Sequence, residues 1–193
     1  MRSSIYIIAL LPFSFLWSQI TWTTGVIASS ADNPIEVFAA DMDNDGDMDI
    51  VSASFADGTI AWYENDGAAN PSFSAADIAT SADGAHSVFA ADMDGDGDMD
   101  IVSAAYNDNT IAWYENDGAT NPTWTAADIA TSADGAASVF AADMDNDGDM
   151  DIVSAERGNS PGQGVIAWYE NDGNVNPTWT AVNIDTSPSR PKS

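Results

Sequence analysis

The chain has 193 residues, of which 31 are Asp or Glu and only four are Lys or Arg, so its formal net charge is -27. This charge argues against binding to nucleic acid or to an anionic membrane surface, because both need a basic patch. The chain is also 45% hydrophobic and has no cysteine, which excludes a solvated acidic tail and a disulfide-stabilised scaffold. We expect a folded chain that is stabilised by packing and by metal ions.

Residues 1–18 have the composition of a secretory signal peptide. Arg2 precedes an apolar run at residues 5–17, and Ser18 supplies a small residue at a cleavage point. A membrane-spanning helix needs about 20 apolar residues, and Pro12 interrupts this shorter run. A membrane anchor and a buried strand are therefore less favoured. We expect cleavage, no membrane insertion afterwards, and a secreted, extracellular or cell-surface location.

From residue 19 onward the sequence repeats itself. Trp22, Phe73 and Trp124 are spaced 51 residues apart, and Trp179 follows 55 residues later. The four extra residues of the last copy fall within residues 156–165, which we expect to form a surface loop. A fixed period near 50 residues is typical of repeat arrays and propellers. We divide the chain into an orphan strand and linker (19–36), repeat 1 (37–87), repeat 2 (88–138), and repeat 3 with the start of a truncated repeat (139–193).

Each repeat alternates short apolar runs with turn residues, and it shows no helical periodicity. The pattern predicts an all-β fold with four antiparallel strands per repeat, which is the make-up of a propeller blade. A β-helix fits less well, because it would need shorter parallel coils. Closed propellers contain about 4–8 blades. We therefore expect three blades to be an open sector of a larger propeller, a fragment that can self-associate through its open blade faces.

One acidic nonapeptide occurs in every repeat. Residues 41–49 and 143–151 read Asp-Met-Asp-Asn-Asp-Gly-Asp-Met-Asp, and residues 92–100 differ only at Gly95. Five carboxylates so close together repel each other unless a cation lies among them. Hard oxygen ligands in a flexible loop suit calcium, which predicts three calcium sites, one per repeat. The alternative is an acidic turn that only keeps the hairpin soluble.

The candidate metal ligands are the aspartates at loop positions 1, 3, 5, 7 and 9, and position 7 offers its backbone carbonyl. In the three loops these are Asp41, Asp43, Asp45, Asp47 and Asp49; Asp92, Asp94, Asp96, Asp98 and Asp100; and Asp143, Asp145, Asp147, Asp149 and Asp151. Gly46, Gly97 and Gly148 at position 6 permit the positive φ angle that curls the loop.

The loop differs from an EF-hand, because position 12 is Ser52, Ser103 or Ser154 where a bidentate Glu is required. The missing acid and the missing helices also disfavour a dockerin-type module. The pattern Phe-Ala-Ala-Asp-x-Asp-x-Asp-Gly-Asp-x-Asp-Ile-Val resembles the FG-GAP/VCBS-type repeats of integrin-like β-propellers, over about residues 19–185. The resemblance implies that the loop joins the first two strands of a blade and binds calcium through positions 1, 3, 5, 7 and 9.

The recurring Trp-Tyr pairs, at Trp62 in the first repeat and its counterparts, fit either a sugar-stacking platform or a core between blades, and we favour the core. With one histidine, His86, and no cysteine, the sequence provides no nucleophilic triad. We expect a module without catalytic activity that binds an extracellular protein or glycan. The alternatives are part of a propeller hydrolase or lyase that acts on polysaccharide, and a purely structural spacer.

Overall fold

The structure is a computed structural model that describes residues 25–158, 160 and 162–185. In this part of the chain the regular structure consists of twelve strands in three four-stranded antiparallel sheets. The predicted all-β fold with propeller-type blades is confirmed. We number the sheets as blades 1 to 3 in chain order. Across the same residues, no helix has the length and apolar character needed to cross a membrane.

Each blade is built from four consecutive strands, and each strand pairs with the next one in the chain. Blade 1 contains β1 (Pro34–Ala40), β2 (Asp49–Ser54), β3 (Thr59–Asn65) and β4 (Phe73–Ala79). Blade 2 contains β5 (Ala85–Ala91), β6 (Asp100–Ala105), β7 (Thr110–Asn116) and β8 (Trp124–Ala130). Blade 3 contains β9 (Ala136–Ala142), β10 (Asp151–Glu156), β11 (Val165–Asn171) and β12 (Trp179–Asp185).

The first strand of each blade begins three residues before the repeat start that the sequence suggested. Those starts followed the apolar run at residues 37, 88 and 139, whereas the strands begin at Pro34, Ala85 and Ala136. In all three blades the pairing continues through a β-bulge, between Pro34 and Glu36, between Ala85 and Ser87, and between Ala136 and Ser138. A bulge breaks the alternation of apolar side chains, so periodicity does not detect the extra residues.

Three predicted segments fall wholly or partly outside the described residues. The signal peptide lies within residues 1–24 and the start of a truncated repeat within residues 186–193, and both ranges are outside them. The orphan strand and linker are expected at residues 19–36, of which residues 25–33 are described and are not in a strand, and residues 34–36 belong to β1. The extra residues of the third repeat lie in the connection between β10 and β11.

The core lies between the blades. Met42 and Trp62 of blade 1 belong to one apolar cluster with Val88 and Tyr114 of blade 2, and an equivalent cluster joins blades 2 and 3. We call the Met42 side of a blade its forward face and the Val88 side its back face. Full burial of such an aliphatic or aromatic side chain contributes about 1.5–3 kcal/mol. The interpretation of the Trp-Tyr pairs as core between blades is confirmed for Trp62, Trp113, Tyr114 and Tyr169, which lie in these clusters.

The first strands of the three blades lie beside one another. Phe38, Phe89 and Phe140 form a continuous row across them, with ring centroids 4.6 Å and 4.7 Å apart. Aromatic rings at this separation in a tilted arrangement attract each other beyond their burial. The acidic loops follow directly after these strands, so the row places the three loops along one rim of the molecule.

Candidate metal centres

Each acidic loop brings three of its five carboxylates together. The loops connect β1 to β2, β5 to β6 and β9 to β10. In each loop one oxygen from every aspartate at positions 1, 3 and 5 lies within 4.8 Å of the others. Calcium–oxygen distances are 2.3–2.6 Å, so two ligands of one ion are at most about 5 Å apart. The three triads are Asp41, Asp43 and Asp45; Asp92, Asp94 and Asp96; and Asp143, Asp145 and Asp147.

The backbone of the loop holds the triad in place. The amide of Gly46 donates a hydrogen bond to Asp41 Oδ2 (3.0 Å), and the amide of Asp45 donates to Asp41 Oδ1 (3.1 Å). Gly46 has a φ of 96°, a left-handed conformation that residues with a side chain rarely adopt. Gly97 and Gly148 have φ values of 98° and 105°. The curl expected at position 6 is therefore present in all three loops.

The electrostatics of the triads favour a cation. Burial raises the pKa of Asp94 above its usual value, and the charges of Asp96 and Asp92 raise it further. The pKa of Asp43 is raised by burial first and then by the charges of Asp45 and Asp49. The Oδ2 atom of Asp94 is buried and accepts no hydrogen bond. A buried carboxylate oxygen without a partner is costly, and a hard cation bound to the triad would satisfy it.

The aspartates at position 9 lie outside the triads and anchor the loop to the third strand. Asp49 is buried, and its two oxygens accept hydrogen bonds from the amides of Met42 (3.1 Å) and Asn65 (2.8 Å). Asp100 and Asp151 make the same pair of bonds in their own blades. Burial raises the pKa of Asp100 to about 7 although these hydrogen bonds lower it.

The side chains at position 7 also lie outside the triads. Asp47, Asp98 and Asp149 lie against the glycines that follow the third strands, Gly67, Gly118 and Gly173, in the places where a Cβ atom would stand. One of them bridges two loops, because Asn44 Nδ2 of blade 1 donates to Asp98 Oδ1 of blade 2 at 2.6 Å. Among the side chains of each loop, the structure therefore groups positions 1, 3 and 5 and gives positions 7 and 9 other partners.

An asparagine at the end of the third strand connects neighbouring loops. Asn116 Nδ2 donates to the carbonyl of Met42 in the loop of blade 1 (2.8 Å) and to that of Met99 in its own loop (3.0 Å). Asn171 makes the equivalent bonds to Met93 (2.8 Å) and Met150 (3.1 Å). The only signal in the sequence is that Asn recurs at the end of each third strand.

Comparison with protein families adds an independent finding. The model of the FG-GAP-like repeat matches residues 41–103 and 92–154. Together these windows cover residues 41–154, which is more than half of the 193 residues. The chain belongs to the FG-GAP-like repeat family. This confirms the resemblance seen in the sequence, and a search of curated proteins found no sequence that matches the chain.

The two FG-GAP-like repeat windows map directly onto the blades. Each window begins at the first aspartate of one acidic loop and ends in the second strand of the next blade, at Ser103 or Ser154. A window therefore contains two acidic loops and the contact between two blades. The chain is thus a β-propeller-like repeat module, and the repeated unit of the family includes both the candidate metal centre and the interface beside it.

Proposed function

We propose that the chain is a secreted, calcium-binding β-propeller repeat module in which one ion structurally clips each blade, and that it serves extracellular binding or adhesion. The observation that carries the calcium proposal is the triad of oxygens within 4.8 Å, repeated in three loops. Oxygen-only ligands in a flexible loop suit calcium better than magnesium, which needs a stricter octahedron. The partner would be an extracellular protein or glycan, and the signal-peptide pattern at residues 1–18 supports export.

The position of the triads supports a structural role for the ion. The triad lies in the turn of the first hairpin, and Asp49 in the same loop accepts a hydrogen bond from Asn65 at the end of the third strand. An ion that neutralises the triad would remove the repulsion among three carboxylates and hold the hairpin closed. Three calcium ions would change the formal charge of the chain from -27 to -21.

Thermal unfolding with calcium and with a chelator tests the proposal. A ligand that binds only the folded state stabilises it by about 2.7 kcal/mol per independent site at a 100-fold excess over Kd, so calcium should raise the melting temperature. The substitutions Asp43→Asn, Asp94→Asn and Asp145→Asn together should abolish most of this gain. Asparagine keeps an oxygen for the loop hydrogen bond to Asp43 Oδ1 while it removes the charge.

The matched control is the triple variant Asp57→Asn, Asp77→Asn and Asp128→Asn, which makes the same change in net charge on exposed positions outside the acidic loops. It should keep the full gain from calcium. The proposal would be wrong if calcium left the wild-type midpoint unchanged, or if the two triple variants lost the gain equally.

A further inference from the structure

The back face of blade 1 is an apolar surface whose counterparts are buried in the other blades. Val37 is 63% exposed, whereas its equivalents Val88 and Val139 are 2% and 5% exposed. Ile50 is partly exposed, while its equivalent Ile101 is fully buried. The difference arises because the forward face of a preceding blade covers Val88 and Val139. The face on blade 1 therefore has the shape and polarity of a surface that packs on a blade.

The forward face of blade 3 shows the complementary pattern. Met144 is 46% exposed, whereas its equivalents Met42 and Met93 are 0% and 1% exposed. Ile166 and Phe140 are also exposed in blade 3, and the counterparts of Ile166 are buried in both other blades. Contiguous exposed apolar surface on a folded protein commonly marks an interaction site.

The polar groups that join neighbouring blades are present at both open faces. Between blades 1 and 2, Asn116 donates to the Met42 carbonyl and Asn44 donates to Asp98. Between blades 2 and 3, the amide of Val139 donates to Ser87 Oγ at 3.1 Å. The equivalents of Met42, Asn44 and Ser87 in blade 3 are Met144, Asn146 and Ser138. The equivalents of Asn116, Asp98 and Val139 in blade 1 are Asn65, Asp47 and Val37.

We propose that the forward face of blade 3 binds the back face of blade 1 of a second copy of this chain, in a head-to-tail contact that repeats the packing between its own blades. In this contact the Asn65 amide of one copy donates to the Met144 carbonyl of the other, and the Val37 amide donates to Ser138. Asn146 pairs with Asp47, and Phe140 extends the row of stacked rings to Phe38 of the second copy.

A second copy fits both faces for two reasons. The two faces differ from each other, so the contact is heterologous and each copy uses both faces at once. The described residues of two copies together supply six blades, a number within the range of about 4–8 at which propellers close. The proposal concerns the sheet faces and does not depend on the identity of the metal.

Sedimentation velocity of the purified chain in calcium-containing buffer, together with two lysine variants, tests the proposal. Wild-type chain should sediment as an assembly of twice the monomer mass. Val37→Lys blocks the back face of blade 1 and Ile166→Lys blocks the forward face of blade 3, so each variant alone should be monomeric. An equimolar mixture should recover a 1:1 dimer, because each variant keeps the face that the other lacks.

Ala119→Lys in an exposed loop of blade 2 is the control for added charge and should keep the wild-type mass. Circular dichroism should show the same β content in every variant, and Met144→Lys replaces Ile166→Lys if that variant fails to fold. A wild-type chain that stays monomeric would overturn the proposal. A mixture that stays monomeric would also overturn it, because the two intact faces would then fail to bind each other. A lysine variant that dimerises alone would overturn it as well, because it would show that the association uses one face with itself.

Discussion

At the scale of single residues, the aspartates of one loop have opposite environments. The triad residues point at one another and repel, whereas Asp100 has both oxygens engaged by amides, those of Met93 and Asn116. Asp100 is buried while its neighbour Asp98 is partly exposed. The triad could hold a cation, whereas the position 9 carboxylate accepts hydrogen bonds from two backbone amides.

Asp100→Ala should destabilise the chain even when calcium is absent. The substitution leaves two buried amide groups without an acceptor, and each costs about 1–3 kcal/mol. Urea unfolding in the presence of a chelator measures this loss. Asp94→Asn is the matched variant, and in chelator it should leave stability unchanged or raise it, because it removes repulsion. Equal losses for the two variants would contradict this division of roles.

The sequence could not distinguish these roles, although it located every loop. All five aspartates of a loop are candidate ligands in the sequence, position 7 through its backbone carbonyl, and their spacing does not show which of them have other partners. The partner of Asp100 is the amide of Asn116, which is 16 residues further along the chain. Only the pairing of β6 with β7 brings these two groups together.

At the scale of elements, the connection between the third and fourth strands is closed by an acid and a hydroxyl. In blade 3, Thr178 Oγ1 donates to Asp172 Oδ2 at 2.5 Å, and the Thr178 amide donates to Asp172 Oδ1 at 3.1 Å. These hydrogen bonds, the hydroxyl first, lower the pKa of Asp172 to about 2. The pKa values of Asp66 and Asp117 are lowered in the same way by Ser72 and Thr123.

Thr178→Val should raise the pKa of Asp172 towards its ordinary value of 3.8, because the hydroxyl donor is lost. A carboxylate whose pKa is lowered by folding stabilises the native state above the unfolded pKa, and the contribution disappears as the pH falls towards 2. An NMR titration of the Asp172 carboxyl carbon measures the shift directly. Thr125→Val, at an exposed position of β8, should leave it unchanged, and an ordinary pKa in the wild-type chain would contradict the prediction.

The strands were predictable because local rules agree with the fold. Apolar runs bounded by Asn, Asp and Gly mark the hairpins, and the structure has four strands in every blade. The residues at which the first strands begin were harder to predict from the sequence. Pro34 and Glu36 lie on either side of a bulge, where neither alternation nor composition indicates that pairing with β2 continues.

At the scale of the whole molecule, the period of about 51 residues predicted the number of blades but not the contacts between them. The bond from Asn116 to the Met42 carbonyl spans 74 residues of sequence, and the bond from Asn171 to Met93 spans 78. No local pattern identifies such pairs. The exposed faces at Val37 and Met144 likewise become visible only by comparison with their buried equivalents in other blades.

Asn116 also connects the acidic loops of blades 1 and 2, so calcium binding in one loop can be coupled to binding in the other. Its amide group holds a carbonyl in the loop of blade 1 and another in the loop of blade 2, so ordering one loop helps to order the next. Such coupling is reciprocal and typically amounts to about 1–3 kcal/mol. Calorimetric calcium titration should give a Hill coefficient above 1 for the wild-type chain and a lower one for Asn116→Ala.

Asn121→Ala, in the exposed connection between β7 and β8, is the matched control, because it removes the same amide group away from the acidic loops. It should keep the wild-type Hill coefficient, and equal coefficients for all three proteins would argue against coupling. If the loops bind calcium cooperatively, the chain would pass from calcium-free to calcium-bound over a narrow range of calcium concentration. The row of blades would then stiffen as a unit when the chain moves from low to high calcium.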